Sequence, residues 1–106
     1  MVVLVTAGSG IEGERLARKI VAGKLAACVN LVPKVKSVFR WKGKVETAGE
    51  ILLIIKTRKS LFSRLEKMVS RFSSYELPEV LALPVEKGGA GYLKWIKSAT
   101  SRISSV

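Results

Sequence analysis

The sequence predicts an α+β domain of the ferredoxin-like kind: a βαββαβ antiparallel sheet with a long hairpin between its second and third strands and an extra C-terminal helix. Three observations predict it. The apolar period switches between two and about 3.6 residues in the order strand, helix, strand, strand, helix, strand, helix. Two of the strand-like stretches, one ending at Trp41 and one starting at Val45, are joined by little more than Lys42-Gly43. The chain has 106 residues and no Pro/Ser/Gly-rich linker, so residues 1–106 form one domain.

Val2 to Thr6 is a short β-branched run that Gly8-Ser9-Gly10 closes, which reads as a buried strand and a turn. Ser9 and Glu12 have capping-box spacing. Leu16, Ala17, Ile20 and Val21 then share one helix face, with Arg15, Arg18 and Lys19 opposite and Gly23 as the stop. From Cys28 to Trp41 the chain alternates, with Val29, Leu31, Val35, Phe39 and Trp41 expected on one side. After the Lys42-Gly43 turn the chain returns through Val45 to Ile51-Leu52-Leu53-Ile54-Ile55, a run suited to a strand covered on both faces. Pro33 and Gly49 are expected to mark bulges or breaks. Ser60 is placed to cap a second helix with its stripe at Leu61, Leu65, Met68, Val69 and Phe72. Pro78 disfavours helical geometry at Leu77, so the Tyr75–Glu79 segment leads out of that helix into a fourth strand from Val80 to Val85. Gly88, Gly89 and Gly91 end that strand, and Tyr92, Leu93, Ile96, Ala99 and Ile103 form the last helical stripe.

The hairpin is the informative element. A strand from Cys28 to Trp41 runs roughly 45 Å at about 3.3 Å per residue, whereas a first helix of about 13 residues covers only about 20 Å. The end that carries Phe39, Trp41 and Val45 therefore projects beyond its own core, and a projecting ribbon with open edges invites a partner. Another copy of the chain is the simplest partner, docked head to tail and closing into a ring such as a trimer.

Composition narrows the chemistry. Nineteen Lys and Arg stand against eight Glu, with neither Asp nor His, for a formal charge of +11. That balance favours solubility and attraction to anions. The absence of His removes the commonest transition-metal ligand and the usual general base. A single cysteine, Cys28, excludes an intrachain disulfide, and no CxxC or Cys/His cluster exists. With no nucleophile beside a recognisable base, no enzyme is expected and no cofactor is required. The first residues lack a basic region ahead of a long apolar run, and no stretch approaches a membrane span, so a cytoplasmic location and no membrane partner are expected. Gly8-Ser9-Gly10 lacks both the Walker lysine and the GxGxxG spacing, and reads as a capped turn rather than a phosphate loop.

With these elements in place, "LAACVNLVPKVKSVFRWKGKVE", "EILLIIKT", "YELPEVLALPV" and "GYLKWI" resemble, in the right order and over nearly the whole chain, the blocks of the CutA family of divalent cation tolerance proteins. The resemblance implies a ferredoxin-like fold, a homotrimer built by sheet contacts, and a role in tolerance to divalent cations, with copper binding in some members. The family often has His-Pro before the Tyr of its "YELPE" segment. This chain has Ser73-Ser74 there, which removes that imidazole from any metal site.

Candidate residues follow. A copper ion or another divalent cation would draw on Cys28, the softest donor, or on Glu76 and Glu79, which a threefold axis would multiply. The competing readings are a packing role for Cys28 and ion pairs to Lys or Arg for the two glutamates. Phe39, Trp41, Val45 and Tyr75 are the expected subunit interface. Lys34, Lys36, Arg40, Lys42 and Lys44 interleave with the aromatics, as they would in a nucleic-acid-binding ribbon, and charge alone predicts non-specific binding to RNA. Against that alternative, "ILLIIKT" offers only aliphatic side chains where bases would stack. A small-molecule site between subunits, as in the similarly folded PII-type signalling proteins, is a third reading by analogy.

Overall fold

The computed structural model describes residues 1–101. Its elements are β1 (Val2–Ala7), α1 (Gly10–Ala22), β2 (Cys28–Trp41), β3 (Lys44–Lys56), a 3₁₀ turn (Lys59–Leu61), α2 (Phe62–Phe72), β4 (Val80–Leu83) and α3 (Ala90–Ala99). The four strands form one antiparallel sheet in the order β2-β3-β1-β4, the split βαβ arrangement expected from the period changes. Ile103, the last residue of the expected C-terminal stripe, lies outside the described residues.

α1 and α2 cover one face of the sheet. Val3, Val5, Leu53 and Ile55 point into that layer and meet Leu16, Ala17, Ile20, Leu65 and Val69, all buried. α1 starts as its sequence dictates: the Ser9 hydroxyl accepts a hydrogen bond from the Glu12 amide at 3.1 Å. Glu12 does not complete the box. Its carboxylate instead accepts from the Ser74 amide at 3.3 Å and ties the segment after α2 to the start of α1. Gly23 caps the helix, but at φ −80°; the left-handed position falls on Lys24, at φ 58°.

Several local expectations are corrected. Ser60 caps nothing: it sits inside the 3₁₀ turn, and α2 begins at Phe62 with no side-chain cap. Val21 and Phe72 are exposed at the helix ends, where the sheet no longer reaches, and the Lys19 ammonium lies 4.5 Å from the Phe72 ring. β4 stops at Leu83 because Pro84 offers no N–H to the ladder. Among the described residues of the last stripe only Ile96 is buried, while Tyr92 and Leu93 are exposed. α3 is held mainly through its end, where Arg58 donates to the Thr100 hydroxyl at 2.8 Å and to its carbonyl at 3.1 Å.

The hairpin is as long as its sequence requires. β1 pairs only with Ile51–Lys56 of β3, so Lys44–Glu50 and the facing part of β2 stand clear as a two-stranded ribbon, and the molecule measures 48 × 26 × 23 Å. Lys42 and Gly43 both have positive φ, which the tight turn of a right-twisted ribbon needs. One expected irregularity is real: between Val32 and Val35 the ladder carries an extra residue, with Lys34 at φ 59°. Gly49 is not a break, and pairs regularly with Lys36.

That bulge overturns the expected alternation. Val29 and Leu31 pair with Ile55 and Leu53 and face the helices, whereas Val35, Phe39 and Trp41, opposite Glu50, Glu46 and Lys44, face the other way. Val45 pairs with Arg40 and lies on the reverse of the ribbon from Phe39 and Trp41. A bulge inserts one residue without advancing the partner strand, so every position beyond it changes side.

Candidate functional site

The face of the sheet turned away from the helices has no covering layer among the described residues. It carries Val2, Leu4, Leu52 and Ile54, all partly exposed, with Leu81 and Leu83 of β4 at 58% and 49% exposure. The expectation that the Ile51–Ile55 run is covered on both sides thus holds within the chain for one side only. At the ribbon end of this face, the connector from Ser74 to Glu79 folds back and leaves a cleft of about 890 Å³. Trp41, Phe39 and Leu77 give it apolar walls, and Glu46, Glu50, Glu76 and Glu79 bring half of the chain's eight glutamates to one place.

Glu50 is the centre of this cleft. Burial alone pushes its carboxyl up, but hydrogen bonds from Ser37, Tyr75 and Thr6 outweigh it and hold the group below the ordinary carboxylate range. The Tyr75 hydroxyl donates to Glu50 Oε2 at 2.6 Å. Tyr75 responds in the opposite sense: burial, that same bond and the negative charges of Glu50 and Glu12 push its phenol far above its usual value. Glu79, half-buried and beside Glu50, is also pushed up, first by burial and then by its neighbour's charge. The cleft is therefore a fixed anion next to a carboxyl that resists ionising, in a molecule of net charge +11.

The expected site residues divide accordingly. Tyr75, Glu76, Glu79, Phe39 and Trp41 come together around the cleft. Cys28 does not. It faces the same way as Glu50 but pairs with Lys56, six residues further along β3, roughly 20 Å at about 3.3 Å per residue. Among the described residues no group of three or more Cys, Asp or Glu side chains is placed to hold a metal ion. The donor set of one chain thus does not fit a copper centre. Nor do the ribbon cations act as one patch: Lys36 and Arg40 lie on the reverse face, Lys44 lies on the aromatic face, and the Lys42 ammonium sits 5.7 Å from the Trp41 ring. Two of these cations, Lys42 and Lys44, thus stay beside the aromatics, while Lys36 and Arg40 are turned away from them.

Sequence reasoning missed Glu50. A signal was present: it is the one charged residue between Gly49 and the apolar run that ends β3, on the face its neighbours Leu52 and Ile54 keep apolar. Without the bulge its side could not be assigned.

Fold and site define a class: a ferredoxin-like α+β protein with an over-long central hairpin, a bare apolar sheet face and a carboxylate cleft where the two meet. Residues 1–99 match the family model of the CutA1 divalent ion tolerance protein. The rice protein named CutA 1, chloroplastic, is 50% identical over 94% of this chain and 56% of its own length, and the Arabidopsis thaliana CutA, chloroplastic, is 49% identical over 94% and 55%. The chain thus spans little more than half the length of these curated relatives. The Thermus thermophilus divalent-cation tolerance protein is 39% identical over 93% of the chain and 96% of its own length. The crystal structure of the Oryza sativa CutA1 superposes with a TM-score of 0.92 at 50% identity, covering 95% of this chain and 93% of that one. The chain belongs to the CutA1 family of divalent ion tolerance proteins.

Proposed function

We propose that this chain is a non-enzymatic, self-associating protein of divalent-cation tolerance whose working form is a homotrimer. The observation that carries the reading is the bare sheet face. Leu4, Leu52, Ile54, Leu81 and Leu83 form an apolar surface continuous with a ribbon that outreaches its helices, and such surfaces mark interaction sites. Self-association supplies the missing layer. The non-enzymatic part is supported by the cleft, where Glu50 is held ionised and its partner Tyr75 is held protonated. The role in tolerance is supported by the family and by the names of its members.

Sedimentation equilibrium tests the assembly. A mass three times the 11.5 kDa of one chain is expected at micromolar concentration, and a folded monomer there overturns the reading. Isothermal titration with Cu²⁺ on wild type and on the Cys28→Ala and Glu79→Ala variants tests direct metal binding. No saturable heat is expected from a dissociated chain, since among the described residues no three Cys, Asp or Glu side chains are placed to hold a metal ion.

A further inference from the structure

We propose that the outer surface of the two-helix layer is a docking face for the phosphate backbone of double-stranded nucleic acid, bound without regard to base sequence. The inference goes beyond the self-association reading and does not rest on it, since this surface lies on the far side of α1 and α2 from the sheet. Its first basis is where the charge sits. α1 and α2 carry six cations, Arg15, Arg18, Lys19, Arg64, Lys67 and Arg71, all exposed, against Glu12, Glu14 and Glu66. Four of the other five glutamates surround the cleft on the opposite face of the sheet. The carboxylates that could neutralise the helix layer therefore lie across the molecule from it, and a polyanion is drawn to the helices.

The second basis is that these cations crowd one another. The only salt bridge among the described residues joins Arg18 to Glu14, and Glu12 is turned to the Ser74 amide. Along α2, Arg64, Lys67 and Arg71 follow at three and four residues; along α1, Arg15 stands three and four residues from Arg18 and Lys19. Like charges at those separations repel and weaken a helix. The two helices then converge: the Lys19 ammonium lies 4.5 Å and the Arg71 guanidinium 5.4 Å from the centre of the Phe72 ring, so two positive charges share one ring. A row of phosphates relieves that repulsion. Arg64 to Arg71 covers about 10 Å of helix at about 1.5 Å per residue, and one strand of a duplex offers a phosphate about every 3.4 Å of axis, so a single strand can meet all three cations.

The same surface decides among polyanions. Phe72 is the one exposed aromatic of α1 and α2, so successive bases of a single strand find no row of rings to stack on. A duplex needs none. A membrane surface would call for an apolar stripe beside the cations, but the exposed apolar side chains of this layer, Ile11, Val21 and Phe72, stand at the helix ends. Two rigid helices presenting cations without stacking groups fit a duplex backbone best.

Fluorescence anisotropy of a labelled DNA duplex of about 20 base pairs, titrated with the full chain at about 0.05 to about 0.2 M salt, is the test. Saturable binding that weakens as salt rises is expected; no binding at the lower salt overturns the proposal. Two variants of equal charge locate the contact: Arg64→Gln with Lys67→Gln and Arg71→Gln on α2, and Lys36→Gln with Arg40→Gln and Lys44→Gln on the ribbon. Circular dichroism verifies the fold of each. The α2 variant should weaken binding at least about tenfold and flatten the logarithmic salt slope by about three, while the ribbon variant should leave that slope within about one of wild type. Arg15→Gln with Lys19→Gln on α1 should flatten it by about two, and stands in for the α2 variant if that one does not fold. Equal losses from the α2 and ribbon variants would report total charge alone and overturn the proposal. So would a loss confined to the ribbon variant. Tighter binding to a single strand of equal length, or to vesicles of about 30% phosphatidylserine at equal phosphate concentration, would assign the face to another partner and overturn it as well.

Discussion

Leu52 and Leu53 are neighbours in one strand and identical in chemistry, yet they belong to different molecular surfaces. Leu53 points at the helices and is 0% exposed, among Val3, Val5 and Ile55; Leu52 points the other way, partly open to solvent beside Leu4 and Thr6. Period-two geometry makes such a division inevitable, but it does not make both sides apolar. A sheet with one solvated face ordinarily alternates apolar with polar residues. Val2, Leu4, Leu52 and Ile54 break that rule, so the bare face is composed as a buried one. The apolar content of β3 thus serves two faces, the core within the chain and the bare face on which the proposed association rests.

Mutations can break the comparison in order of effect. Leu53→Ala should cost about 2–5 kcal/mol of folding stability, a cavity in a closed core, and denaturant titration should show that loss at every protein concentration. Leu52→Glu should leave the subunit folded but weaken association by a hundredfold or more, about 2.7 kcal/mol; the loss should appear only in concentration-dependent readouts. Equal effects from the two substitutions would erase the distinction between the faces.

Tyr75→Phe, at the rim between the faces, should cost about 1–2 kcal/mol because Glu50 loses a charge-assisted donor. The Glu50 pKa should rise as a result, which carboxylate NMR titration can read. The smallest expected effect is a pH slope. The Glu50 pKa is lowered in the fold, so its stabilisation is present above the ordinary carboxyl value of 4.5 and is lost as pH falls through the folded value. Glu79 is raised, so the folded state gives up stability as pH climbs from 4.5 through the folded value, and Glu79→Gln should flatten that part of the profile. Thermal unfolding of a dissociated variant such as Leu52→Glu between pH 3 and 7 would separate the two signs.

Much of this was legible in the residues. The order of elements, the Ser9 cap, the Lys42-Gly43 turn and the overlong hairpin all follow from local rules that tertiary packing left intact. What was lost depended on non-local parity. Pro33 signalled a bulge, but only the pairing with β3 shows that the bulge puts Phe39 and Trp41 on the front and Arg40 on the reverse. Glu50 escaped for the same reason, since its partners Tyr75, Ser37 and Thr6 come from three separate segments. The absent cap at Ser60 reflects a 3₁₀ turn whose Leu61 is drawn into the core, a pull that capping preference does not include.

The irregularity at Pro33-Lys34 also sets where β2 can change length. Losing a single codon there would restore an unbroken ladder and leave every tip side chain on its present side, because β3 and the turn already dictate that register. Losing one between Lys36 and Trp41 would exchange aromatic for cationic along the remaining stretch and turn the ribbon inside out. Among descendants of this sequence, indels in β2 should therefore concentrate at that one joint.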